Sequence, residues 1–138
     1  MALVLDTHAV IWYLSGSAQL SPTARTVIES AEQKAESIFI SAISLVEVIY
    51  LTERGRLPAA ALQRLANVFE DPEGSISVAP LDTAVAEAVQ RIPRETVPDM
   101  PDRIIAATAA HLGAELVTRD RRLHYAGALQ TLGIRIVW

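Results

Sequence analysis

The sequence predicts an α/β domain built on a parallel sheet. Short β-like runs alternate with longer helical patterns along the whole chain. The first of these runs is continuously apolar rather than alternating, as expected of strands buried on both faces. The 138 residues, 51% hydrophobic and 20% charged, suffice for a single domain, residues 1–138, with a real core and argue against disorder.

Ala2 to Leu5 reads as the first strand, and Asp6 or Thr7 offers a cap to a helix beginning near Ala9. Ser21-Pro22 places a capping hydroxyl before a proline at the first helical position. Ile38 to Ile40 forms the second strand. The run Ala42 to Thr52 contains one charged residue, Glu47, and reads as a largely buried helix opened by Ser41 or Ser44. Pro58 opens the next helix, Ile76 to Val78 is the third strand, and Asp82-Thr83 caps a segment through Gln90.

Arg91 to Pro101 carries prolines at 93, 98 and 101, so it reads as a connecting loop. A helix then follows over Ile104 to Leu112, with Asp99 or Asp102 as its cap and Gly113 as its stop. Glu115 to Thr118 makes the fourth strand and Ile134 to Val137 the fifth. Between them Asp120 is placed to cap a short helix over Arg121 to Ala126.

Composition removes several classes of function. There are no cysteines, which excludes disulfides and thiolate-held zinc or iron–sulfur clusters. No apolar stretch approaches the roughly 20 residues of a membrane span, and the N-terminus lacks the pattern of a signal peptide. A cytoplasmic protein is the expectation. The net charge of −4 gives no basic face for nucleic acid. Only Lys34 is a lysine, which disfavours lysine-dependent chemistry.

Chemistry points instead to four acids: Glu47 inside its helix, and Asp6, Asp102 and Asp120 at element boundaries. Asp6 directly follows the first strand, and in open parallel sheets ligands bind outside the carboxyl ends of strands. Glu47 lies more than a turn inside its helix if Ser41 is the cap, surrounded by Ile43, Tyr50 and Leu51. A carboxylate among such neighbours costs several kcal/mol unless its charge is compensated. Asp102 precedes a helix of small residues that can pack tightly on the sheet. Asp120 mirrors Asp6 after the fourth strand. Each has a plain alternative as a helix cap, and Asp82, in the same kind of position, is read as one. Four carboxylates in one cleft repel each other unless a divalent cation lies between them.

With these residues placed, the chain resembles the PIN-domain ribonucleases of the VapC toxin family, from type II toxin–antitoxin systems. The resemblance rests on Val4-Leu-Asp-Thr-His-Ala-Val-Ile-Trp12, Ser41-Ala-Ile-Ser-Leu-Val-Glu-Val48, Asp102-Arg-Ile-Ile-Ala-Ala-Thr-Ala109 and Leu116-Val-Thr-Arg-Asp120, in that order. It spans essentially the whole chain. It implies a three-layer α/β/α sandwich with a five-stranded parallel sheet in the order 3-2-1-4-5. It places Asp6, Glu47 and Asp102 on the family's metal-binding positions, Asp120 on a more variable fourth, and Thr118 on a hydroxyl position beside them. The implied activity is endoribonucleolytic hydrolysis with Mg²⁺ or Mn²⁺, leaving a 5′-phosphate and a 3′-hydroxyl. The implied partners are RNA, a cognate antitoxin and a second copy of the chain.

Other groups near the acids have simpler readings. Arg103, Arg119, Arg121 and Arg122 read as surface ion pairs before phosphate contacts. His8, His111 and His124 lack zinc-site spacing, and His8 reads as structural. A phosphatase using an aspartyl phosphate would want a second Asp where His8 stands. No Gly-Lys-Ser/Thr marks a P-loop. A catalytically inert RNA- or protein-binding module is the alternative function.

Overall fold

The computed structural model describes the backbone of residues 1–120 and 127–138, with side chains over 1–120 and 129–138. In chain order the elements are β1 (Leu3–Leu5), α1 (Thr7–Ser15), α2 (Pro22–Gln33), β2 (Ile38–Ser41), α3 (Ala42–Glu53), α4 (Ala59–Glu70), β3 (Ile76–Ala79), α5 (Thr83–Ala88), α6 (Met100–Leu112), β4 (Glu115–Val117), α7 (Gly127–Thr131) and β5 (Ile136–Val137). A 3₁₀ turn over Val89–Arg91 continues α5. The helix expected over Arg121 to Ala126 lies outside the described residues.

The five strands pair in parallel in the order β3-β2-β1-β4-β5. Strand β1 is central and fully buried. Its alternate side chains feed two separate cores, as the period of a strand requires. Leu3 and Leu5 pack with Val10, Ile28 and Leu65 of α1, α2 and α4. Val4 packs with Ile105 and Ala106 of α6 and with Leu129 of α7. The result is helices on both faces of one sheet, the expected α/β/α sandwich. Burying a side chain such as Leu5 contributes roughly 1.5–3 kcal/mol.

Helix α6 earns its position by being small. Ala106, Ala107 and Ala109 are completely buried, so its backbone approaches the sheet closely. The helix ends at Gly113, whose φ of 62° lies in the left-handed region that side chains resist. That turn feeds the chain directly into β4.

The caps resolve the alternatives left open by sequence. Ser41, not Ser44, caps α3, its Oγ accepting from the Ile43 amide at 3.2 Å. Asp99, not Asp102, caps α6, accepting from the Asp102 amide at 3.0 Å. Asp82 caps α5 by accepting from the Val85 amide at 3.0 Å.

One expectation is overturned. Helix α3 is not largely buried: Val46, Ile49 and Tyr50 are 57%, 39% and 55% exposed, and only Ser44 and Val48 are fully covered. The helix bridges the two outer layers, touching both α4 and α6, so it cannot bury its whole circumference. Its uncharged sequence signalled a surface, not an interior. Among the described residues, no helix is long and apolar enough to cross a membrane.

Candidate active site

The strand order reverses between β1 and β4, so the crevice of an open parallel sheet opens at their carboxyl ends. The Asp6 amide donates to the Val117 carbonyl at 3.0 Å, fixing the exit of β1 against that of β4. Here a cavity of about 610 Å³ is lined by Asp6, Glu47, Asp99, Asp102 and Asp120, together with Thr7, His8, Trp12, Gln19 and Arg119. All four acids singled out in the sequence thus face one pocket. Asp82 does not line it.

Asp6 is held on both carboxylate oxygens. Oδ1 accepts from the Ala9 amide at 2.8 Å, capping α1, and Oδ2 accepts from the Thr118 hydroxyl. Capping and pocket lining are therefore two uses of one side chain. The Thr118 hydroxyl in turn accepts from the Asp120 amide at 3.0 Å. Thr118 is fully buried and locks the ends of β1 and β4 together. Burial raises the Asp6 carboxyl above its ordinary range, against the opposing hydrogen bonds from Thr118 and Ala9.

Glu47 reaches the pocket from α3, where the Thr7 hydroxyl donates to its Oε1 at 2.6 Å. Thr7 and Ser44 are buried and 2.9 Å apart through their hydroxyls. This small hydroxyl pair is the polar lining that lets a glutamate point inward from an apolar helix. Sequence reasoning missed Thr7 and Ser44 except as caps; the signal was their placement beside Asp6 and one turn before Glu47. Burial also raises Glu47, with Asp99 and Asp6 adding repulsion.

Because Asp99 makes the capping bond, the Asp102 carboxyl is released from that task and lines the pocket in the first turn of α6. Burial, the charge of Asp99 and a hydrogen bond with Asp120 push it up to about 7. Its neighbours Asp120 and Glu47 contribute further repulsion. A carboxyl that holds its proton to neutrality marks a site where negative charge is concentrated beyond what the fold offsets.

The rest of the lining is not acidic. His8 is exposed and lines the pocket, with its ring centroid 5.3 Å from that of Trp12, so its packing is on the aromatic wall rather than in the core. Arg119 lies over Trp12, its guanidinium carbon 4.6 Å from the ring centroid. Its reading as a surface ion pair fails, because its contact is aromatic. Arg103 binds the Ile92 carbonyl through Nε at 2.8 Å, tying down the proline-rich segment. Of that segment, Asp99 reaches the cavity. Arg121, Arg122 and His124 lie outside the described residues.

The donor set suits a hard divalent cation. It consists of carboxylate oxygens, without sulfur and without histidines at zinc spacing. Among the described residues, no three acidic or imidazole groups form a ready-made ligand cage.

Comparison with known proteins agrees with this architecture. The model of the PIN domain family matches residues 3–129. The chain is 34% identical over 126 residues to Ribonuclease VapC22 of Mycobacterium tuberculosis, covering 88% of each chain. Among solved structures, the DNA-bound VapBC of Salmonella typhimurium matches with a TM-score of 0.66 and 25% identity, over 99% of this chain and 96% of that one. VapBC2 of Rickettsia felis, bound to a promoter DNA fragment, shares the fold with a TM-score of 0.71 at 16% identity, over 99% and 97% of the two chains. With the family model matched over residues 3–129 and a VapC ribonuclease 34% identical, the chain belongs to the PIN-domain family, in its VapC branch.

Proposed function

We propose that this protein is the endoribonuclease toxin of a toxin–antitoxin pair, hydrolysing RNA phosphodiester bonds at the acidic pocket with Mg²⁺ or Mn²⁺. The observation that carries the reading is the convergence of Asp6, Glu47, Asp102 and Asp120 from four separate segments onto one crevice. The identity to a named ribonuclease supports the class of reaction.

Asp6, Glu47, Asp102 and Asp120 would hold the ion. When bound, it supplies positive charge that acidifies a water and offsets charge on the scissile phosphate. The chain's own residues prepare for this. Thr118 and the Ala9 amide fix Asp6 in one orientation, and Thr7 does the same for Glu47. Asp102 is positioned to give up a proton as the site fills. Glu47, held by Thr7, would orient the attacking water.

The hydroxyl of Thr118 matters because it serves two partners at once. Thr118→Val keeps the shape but leaves Asp6 Oδ2 and the Asp120 amide without it. Loss of such an orienting group is expected to weaken Mn²⁺ binding about tenfold and to lower the melting temperature. Calorimetric titration and thermal melting read the two effects separately. Unchanged Mn²⁺ affinity would remove Thr118 from the site.

The partner reading follows from the solved relatives, which are toxin–antitoxin complexes. The exposed apolar side chains of α3, Val46, Ile49 and Tyr50, lie on the helix that carries Glu47. They offer surface for an antitoxin segment or a second copy.

The test maps new 5′-phosphate ends in total cellular RNA after incubation with Mg²⁺ or Mn²⁺. Asp102→Asn and an EDTA-treated sample run beside the wild type. Discrete ends are expected only from wild type with metal. Ends bearing 2′,3′-cyclic phosphates on the upstream fragment would overturn the mechanism. No new ends from folded, antitoxin-free protein would favour an inert binding module.

A further inference from the structure

We propose that the Arg119 guanidinium, seated on the Trp12 ring at the edge of the acidic pocket, grips a backbone phosphate of the RNA strand next to the scissile one. The inference rests on the nuclease reading and adds a substrate-positioning residue to it.

A pocket lined with carboxylates presents an incoming polyanion with a problem that a catalytic ion solves only at the scissile phosphate. The phosphates on either side still meet an acidic surface on a chain of net charge −4. A flanking phosphate therefore requires a cation within the pocket wall. Among the described residues lining the cavity, Arg119 is the one arginine or lysine.

Its geometry suits that task. The guanidinium carbon stands over the Trp12 ring, 4.6 Å from its centroid. Trp12 is itself fixed, edge-on to Trp138 at 5.9 Å and tilted against His8 at 5.3 Å. The backbone on either side of Arg119 is pinned by Thr118 on Asp6 and by the Asp120 amide on Thr118. The exposed arginine is thus held by stacking rather than by an ion pair. No carboxylate of the described residues takes up its N–H donors, although several line the same cavity. Five in-plane donors on a rigid, weakly hydrated cation match a phosphate.

A nucleobase is the competing ligand. Trp12 is only 9% exposed, so a base cannot stack on the ring while Arg119 covers it. Stacking on the outer face of the guanidinium would leave the in-plane donors unused. The phosphate is the better fit.

Two fluorescein-labelled 12-nucleotide RNAs, oligo(U) and oligo(A), distinguish these ligands. Binding is measured with Ca²⁺ across a KCl series for wild type, Arg119→Ala and Arg119→Lys, and cleavage of cellular RNA is followed with Mn²⁺. Arg119→Ala is expected to weaken both RNAs about tenfold and to flatten the log K against log [KCl] slope by about 0.7, one phosphate's share for a single strand. Arg119→Lys should restore the slope and part of the affinity. Cleavage should show raised KM with little change in kcat. The melting temperature should fall by no more than a few degrees, the share of one exposed cation–π contact.

Unchanged affinity and slope in Arg119→Ala would overturn the inference while leaving the nuclease intact. A loss confined to oligo(A), with unchanged slope, would replace the phosphate by a stacked purine. Wild-type protein that neither binds nor cuts RNA would remove the nuclease reading, and this inference with it.

Discussion

Asp6→Asn is expected to reduce metal-dependent RNA cleavage by at least about 100-fold while leaving the fold intact. The expected loss exceeds that for a group that merely orients a ligand, typically 10–100-fold, because Asp6 would itself contact the ion. The fold should survive because asparagine is as good a helix cap as aspartate. Its carbonyl oxygen can keep the bond now made to the Ala9 amide at 2.8 Å. The Thr118 hydroxyl can turn to accept where it now donates, so the stability change should stay within about 1 kcal/mol. Removing the charge also relieves repulsion on Glu47, whose carboxyl Asp6 helps to raise. Calorimetry with Mn²⁺, RNA cleavage and thermal melting together decide the matter. Cleavage near the wild-type level in a folded Asp6→Asn protein would take Asp6 out of the chemistry. An unfolded variant would point instead to the Thr118 bond, the one the amide must reverse.

This double use of Asp6 shows what the sequence made legible and what it hid. The strands were readable because a parallel sheet covered on both faces demands continuous apolar runs, as in Leu3-Val-Leu5. The aspartates were readable because Asp6 and Asp120 follow strands and Asp102 opens a helix, and topology brings those boundaries to one edge; Glu47 was readable as the lone charge between Ala42 and Thr52. Capping and lining the pocket looked like competing readings, yet Asp6 does both. At α6 the roles were divided between residues, Asp99 capping and Asp102 lining the pocket. Spacing alone could not assign them, since both precede the helix by plausible distances.

Burial was less legible than position. Helix α3 looks internal because it is uncharged around Glu47, but Tyr50 and Val46 are more than half exposed. Hydrophobicity reports that a surface prefers to be covered and is silent about what covers it. The Thr7–Ser44–Glu47 arrangement and the Arg119–Trp12 stack join residues 37 or more positions apart. Neither is encoded in any local window. Both follow only once β1, α3 and β4 are laid side by side.

The apparent affinity for Mn²⁺ is expected to rise about 30-fold between pH 5.5 and 8, as a proton of apparent pKa about 7 ceases to compete with the ion. The same carboxyl makes the metal-free fold pH-sensitive. Asp102 is raised from 3.8 to about 7 in the folded chain, so between those values the native state holds a proton that the unfolded chain has released. Stability therefore falls as pH rises through this window and levels off above it. Because Asp102 is only partly buried, solvent screening limits the cost to about 1–2 kcal/mol. Asp102→Asn removes it. The metal-free variant should melt about 3–6 °C above wild type at pH 8 and match it near pH 4, while losing RNA cleavage. Saturating Mn²⁺ should close the gap at pH 8 by stabilising wild type through mass action. A site that destabilises its own empty fold, and is relieved by its ion, accounts for both effects with one carboxyl. Equal melting of the two proteins at pH 8 without metal would show that the charge is already neutralised within the protein. The acids would then have no need of an ion, and the argument for one would fall.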